Sequence, residues 1–184
     1  MYMDIHLMRL IEAIKLVKAN YECYVTKTSN EEKIVKRAER VYAYELYHQY
    51  RSLMERDGID DCYLNGEIYK NSKIFDAIDG HNCSPDLVLH KEFDKIDEES
   101  QYFLCEIKMV DNQALIEDID KLTKLSQSNL NFNYYIFLCV GATREALKSK
   151  LNNKKRKINY NDNIVCICVN NCTPDVFKLG ELSR

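Results

Sequence analysis

Glu106 and Lys108 stand two residues apart in the run YFLCEIKMV (102–110), whose other members are apolar or aromatic. Residues two apart in a strand share a face, so both side chains address one site while Ile107 points away. Buried without partners, a carboxylate and an ammonium would be strongly destabilising, so the pattern demands either water or a compensating site. The plainest account is an edge strand: Phe103, Cys105 and Ile107 face a core, and Glu106 and Lys108 face solvent. On alternation alone that account suffices, because half-exposed strands commonly alternate. The chemical account adds a second carboxylate, Asp86, at the head of the run DLVLH (86–90). Two carboxylates suit a hard divalent cation such as Mg²⁺, which takes few protein oxygens and keeps several waters. Such a cation lowers the pKa of a bound water and offsets charge on a phosphate. An adjacent lysine can orient or help deprotonate that water.

The wider pattern outweighs the plain account. SPDLVLH, then a charged connection, then FLCEIKM resembles the PD-(D/E)XK nuclease superfamily, with the motif present as Pro85-Asp86 and Glu106-Ile107-Lys108. The resemblance covers residues 30–140 in outline. It implies an α/β fold with a restriction-endonuclease-like mixed sheet (an α-β-β-β-α-β core) flanked by helices. It also implies Mg²⁺ or Mn²⁺ held by Asp86, Glu106 and the backbone carbonyl of Ile107, and hydrolysis of DNA phosphodiesters. Members often add a glutamate from the helix before the three strands, and Glu39 and Glu45 are the candidates. Glu45 shares a helical face with Ile34, Ala38, Val41 and Tyr42, so it falls on the apolar stripe and is preferred as a fourth catalytic and metal-binding residue. Glu39, beside Arg40 and near Lys36, reads as surface. The segment Tyr44-Glu45-Leu46-Tyr47-His48 also resembles the corresponding helix of some members.

Other polar residues are weaker candidates. Glu67 faces either the site or solvent. Gln113, Asp118 and Lys121 lie on the helix after the motif, where such enzymes often contact phosphate or water, yet each singly reads as surface. His81 and His90 have no spaced partner and read as solvated or hydrogen-bonded histidines. No glycine-rich phosphate loop or Ser/His/Asp arrangement stands out.

These residues need elements to position them. Apolar spacing at Ile5, Met8, Ile11, Ile14 and Val17 predicts an amphipathic helix over 4–19. Ser29 followed by Glu32 has the form of a capping box, and a long helix is expected from there to Arg56, closed by Asp57-Gly58. The period then becomes two: strands are expected at 62–69, with a bulge suggested at Gly66, and at 86–90 and 102–110, joined as a meander. Helical spacing over 113–127, an apolar strand at 133–141, a helix at 142–152 and a strand at 163–169 follow, and the strand–helix–strand portion suggests a right-handed parallel crossover. The C-terminal tail has no assignment.

The 184 residues suit one domain, 1–184, with the helix at 4–19 as an addition to the core. No run is long and apolar enough for a membrane span, and the N-terminus lacks the features of a signal peptide, so a cytoplasmic address is expected. The eight cysteines, several inside apolar strands, read as buried free thiols rather than disulfides, and Cys166, Cys168 and Cys172 lack the paired knuckles of a zinc site. A net charge of −3 argues against coating nucleic acid through bulk charge, though not against a local basic surface. The basic segment from Lys148 through Lys157 reads as a solvated helix end and loop, with a phosphate-contacting rim as the sharper alternative. DNA is the expected partner, with a homodimer or a protein partner open. The competing reading is a nuclease-like domain without catalysis, used for nucleic-acid or protein binding. A third is a plain α/β domain carrying a coincidental motif.

Overall fold

The computed structural model describes residues 4–27, 33–66, 85–91, 101–111, 114–128, 130–152 and 158–183. Among them the elements run α1 (Ile5–Leu16), β1 (Tyr24–Lys27), β2 (Lys33–Lys36), α2 (Glu39–Arg56), β3 (Tyr63–Gly66), β4 (Leu87–His90) and β5 (Gln101–Met109). They continue with α3 (Leu115–Ser126), β6 (Tyr134–Val140), α4 (Arg144–Asn152), β7 (Ile164–Asn170) and β8 (Thr173–Lys178). Strands β3 to β8 form a six-stranded mixed sheet in sequence order, and β1 pairs with β2 in a separate hairpin. The pairs β3–β4 and β4–β5 are antiparallel, β5–β6 and β6–β7 parallel, and β7–β8 antiparallel. The protein is thus α/β, with helices on both faces of the sheet.

The apolar alternation of the central strands divides the core in two. Phe103, Cys105, Ile107 and Met109 of β5, with Ile136, Leu138 and Val140 of β6, pack beneath α1 and α2. Leu104, Phe137, Cys139, Cys166 and Cys168 pack beneath α3 and α4. Leu104, Ile107, Phe137 and Leu138 have no exposed surface, and burying each such side chain stabilises the fold by about 1.5–3 kcal/mol. No half-exposed edge is involved: β5 lies between β4 and β6, and Glu106 is 2% exposed. Of the cysteines, Cys62, Cys105, Cys139, Cys166 and Cys168 are buried and free, Cys23 and Cys172 are free and partly exposed, and Cys83 lies outside the described residues.

Several expectations need correction. The helix before the meander begins at Glu39, not near Ser29, and residues 33–36 are a strand in which Ile34 pairs with Thr26. The segments YVTK and KIVK each carry two adjacent β-branched residues, Val25-Thr26 and Ile34-Val35, which favours strand over helix. The Ser29–Glu32 pair lies outside the described residues, and α2 starts at Ala38 with no side-chain cap. Its other end is as expected: Gly58 has φ +65°, and the Ile59 N–H reaches back to the Met54 carbonyl at 2.9 Å in the manner of a Schellman cap.

In α1 the buried face is Leu7, Leu10, Ala13 and Ile14, continued by Val17, while Ile5 and Met8 are about half exposed. Both stripes have helical spacing, and burying Leu7, Leu10, Ala13 and Ile14 also seats Arg9 against Asp57 at the end of α2, with Nε and Nη2 bonding one carboxylate oxygen. Asp4 caps the helix by accepting from the N–H groups of His6 and Leu7.

Gly66 pairs in register with Leu87, and the irregularity of the ladder falls instead between Leu89 and His90. The C-terminal tail supplies β8 and a final 3₁₀ turn, Leu179–Ser183. Among the described residues, no helix is long and apolar enough to cross a membrane.

Candidate active site

The register of β4 against β5 pairs Leu87 with Cys105, which brings Asp86, just before β4, beside Glu106 and Ile107. One oxygen of Asp86, Oδ2, accepts a hydrogen bond from the backbone N–H of Ile107 at 2.7 Å. Burial raises the Asp86 pKa, opposed by that hydrogen bond and by Lys108. Glu106 projects toward α3. Burial pushes its pKa up to about 8, with Asp86 and Asp118 adding repulsion and Lys121 pulling the other way.

Lys108 and Lys121 serve different carboxylates. Nζ of Lys108 donates to Oε1 of Glu39 at 2.7 Å and lies 3.8 Å from Oδ2 of Asp118. Burial alone would lower the Lys108 pKa, but the surrounding Glu39, Asp118 and Asp86 carboxylates outweigh it and raise it. Lys121 forms an ion pair with Oε1 of Glu106. That ammonium is the partner of Oε1 and opposes the burial shift of the carboxyl.

The helix carboxylate against Lys108 is therefore Glu39. Glu39 and Asp86 line one cavity of about 240 Å³ with Arg40, Tyr44, Tyr47 and Gly66, and Glu45 does not line it. Glu45 instead accepts from Nε2 of Gln49 at 2.7 Å, one turn along its own helix. The preference for Glu45 relied on a stripe extended back to Ile34, and that stripe is broken because Ile34 belongs to β2. The sign that favours Glu39 is its place in the first turn of α2, beside the position that Lys108 reaches from the end of β5.

Asp118 and Lys121, each read singly as surface, meet the site together. Three apart on α3, they flank the buried stripe of Leu115, Ile119 and Leu122 and share the sheet-facing side. His90 is buried and satisfied: Nε2 lies 2.7 Å from Nδ2 of Asn65, Nδ1 contacts the Lys91 carbonyl, and burial lowers its pKa. Glu67, His81, Gln113 and residues 153–157 of the basic segment lie outside the described residues.

A second cavity, about 330 Å³, lies by the opposite ends of the parallel strands, among Ser126, Asn131, Tyr134, Asp162 and Lys178. The carboxylates and lysines gather instead near the carboxyl end of β5, the end where ligands of open α/β sheets characteristically bind.

Among the described residues no group of three or more His, Cys, Asp or Glu side chains is arranged to hold a metal ion. A site here rests on the Asp86 and Glu106 pair. Both groups are carboxylates, the ligand type taken by a hard cation that keeps most of its waters; one oxygen of Asp86 is anchored on Ile107, and Oε1 of Glu106 already meets the Lys121 ammonium. Compared with known proteins, the chain matches no family model, no curated protein and no solved structure.

Proposed function

We propose that this chain is a divalent-cation-dependent nuclease that hydrolyses phosphodiester bonds of DNA, built on a restriction-endonuclease-like core of the PD-(D/E)XK type. The observation that carries the reading is the buried Glu106 carboxylate on a central strand, with Asp86 docked on the next residue and Lys108 beside it. The order α2, a three-strand antiparallel meander, α3 and the parallel strand β6 supports it as well.

In this reading Asp86 and Glu106 would hold Mg²⁺ or Mn²⁺, with the Ile107 carbonyl as the further ligand that the family resemblance implies. The bound cation supplies an acidified water and charge compensation for the phosphate. The Ile107 N–H fixes the Asp86 carboxylate before any cation arrives. Glu39 and Asp118 hold the Lys108 ammonium in place. Because those carboxylates raise its pKa, Lys108 stays protonated at neutral pH. It therefore acts as a charged donor that orients the attacking water or a phosphate oxygen, not as the base.

The test is cleavage of plasmid and oligonucleotide DNA with Mg²⁺ or Mn²⁺, comparing wild type with Asp86→Ala and Lys108→Ala. Metal-dependent cleavage lost in both variants supports the enzyme. Absence of cleavage on every substrate, with no cation binding by calorimetry, supports the second reading, a nuclease-like domain used for binding. One observation favours that second reading: Glu106 already has a cation partner, Lys121, within the chain.

A further inference from the structure

Glu106 is 2% exposed, and its Oε1 meets a positive charge rather than water. The positive charge that meets that oxygen comes from Lys121, a residue of α3 whose side chain is 21% exposed. A lysine stem is long and flexible, and this one sits at the boundary between the buried carboxylate and solvent. A divalent cation at Glu106 would need the same oxygens and would be repelled by an ammonium in contact with them.

We infer that Lys121 is the resident counter-ion of Glu106 whenever that carboxyl is ionised, occupying the cation's place until the cation enters and withdrawing toward solvent when it does. The inference rests on the cation-dependent reading of the site and adds a component that the motif does not contain. No bond is made or broken: one ammonium leaves a carboxylate and one hydrated divalent ion takes its place. The arrangement answers a physical difficulty. Without a cation, a carboxylate buried in the middle of a sheet is strongly destabilising unless a positive charge accompanies it. A lysine on the covering helix provides that charge and remains displaceable, whereas a buried arginine fork would hold the carboxylate through directed bonds.

The experiment is calorimetric titration of Mn²⁺ into wild type, Lys121→Met, Lys121→Arg and the double variant Lys121→Met/Glu106→Gln. Removing the competing charge should tighten Mn²⁺ binding by about tenfold or more in Lys121→Met. Lys121→Arg should bind no more tightly than wild type, and the gain should vanish when Glu106 is also neutralised. Equal or weaker Mn²⁺ binding by Lys121→Met overturns the counter-ion role while leaving the nuclease reading intact. Absence of Mn²⁺ binding by both wild type and Lys121→Met overturns the two together. A measurement on the wild-type protein covers the case in which Lys121→Met does not fold. The ¹⁵N ammonium resonance of Lys121 should shift or broaden as Mg²⁺ saturates the site, and an unchanged resonance at saturation overturns the inference.

Discussion

Oδ2 of Asp86 and the backbone N–H of Ile107 are joined by a 2.7 Å hydrogen bond that ties the entry of β4 to the carboxyl-terminal part of β5. The bond uses one carboxylate oxygen and leaves the other for chemistry. It separates two roles that a substitution can pull apart. An amide keeps an acceptor for Ile107 but loses the charge. Asp86→Asn should therefore retain most of the thermal stability, within about 1 kcal/mol, and lose cation binding and cleavage. Thermal melts beside Mn²⁺ calorimetry check both halves. Intact Mn²⁺ affinity in this variant would sink the ligand role of Asp86.

Glu39 and Glu45 make a second contrast. Glu39 holds the Lys108 ammonium at 2.7 Å, and Glu45 holds only Gln49 among the bonds described for it. Glu39→Ala should slow cleavage by about 10–100-fold, the usual effect of removing a group that orients a site residue. Glu45→Ala should change it by no more than about twofold. Initial cleavage rates of the two variants decide the matter, and the reverse ranking would restore Glu45 as the helix carboxylate.

The pH dependence of stability follows from Glu106. Its pKa rises from an ordinary 4.5 to about 8 on folding, chiefly through burial. The native state therefore binds more protons than the unfolded chain across that window, and its stability must fall as pH rises through it. The contribution is fully present below the ordinary carboxylate value and lost above the folded one. Asp86 and Asp118, also raised by burial, act in the same direction. Cation-free protein should melt at a lower temperature at pH 8 than at pH 5, with a flatter profile in Glu106→Gln. A profile that rises across the window in wild type would contradict this.

A fourth prediction concerns the turn between β7 and β8. Asn171 and Cys172 have φ of +50° and +59°, the two consecutive positive values that a two-residue type I′ hairpin turn requires. Cysteine is poorly suited to that conformation and glycine well suited. Glu22 accepts from the Cys172 N–H at 2.8 Å, a backbone bond that glycine keeps, while the thiol's own contact with Glu22 is lost. Cys172→Gly should stabilise the protein by about 0.5–1 kcal/mol, read from urea unfolding midpoints.

How much of this was legible beforehand depends on whether the signal is local. The apolar runs of β6 and β7, the glycine stop of α2, and the spacing of Glu106 and Lys108 are local and read directly from the chain. The helix at 4–19 was legible, but its face was not, because residues 5 and 8 and residues 7, 10 and 14 are both apolar at helical spacing. The segment from 24 to 36 combined strand-favouring residues with a motif shaped like a helix cap, and the cap misled. Glu39 could not be ranked above Glu45 because the ranking depends on how α2 crosses the sheet, a tertiary relationship. The pairing of Lys121 with Glu106 is tertiary too: α3 could be drawn from periodicity, but not where it rests. Strand β8 carries a proline and an aspartate and packs chiefly through Phe177, leaving little periodic pattern to read.

The change from antiparallel to parallel pairing at β5 has a consequence for the order in which the chain assembles. The antiparallel side closes across a short sequence separation, whereas the parallel side waits until α3 has formed and carried the chain back to β6. Short closures are entropically cheaper and come first. The Asp86–Ile107 contact therefore belongs to an early hairpin, and substitutions there should slow folding. Lys121 lies nearer to Glu106 along the chain than Asp86 does to Ile107, so that contact too closes early once α3 forms, and stopped-flow kinetics of variants at both contacts should show slowed folding. Glu106 loses its water only when α3 docks, and that same docking delivers Lys121, so the folding chain never has to bury the carboxylate bare.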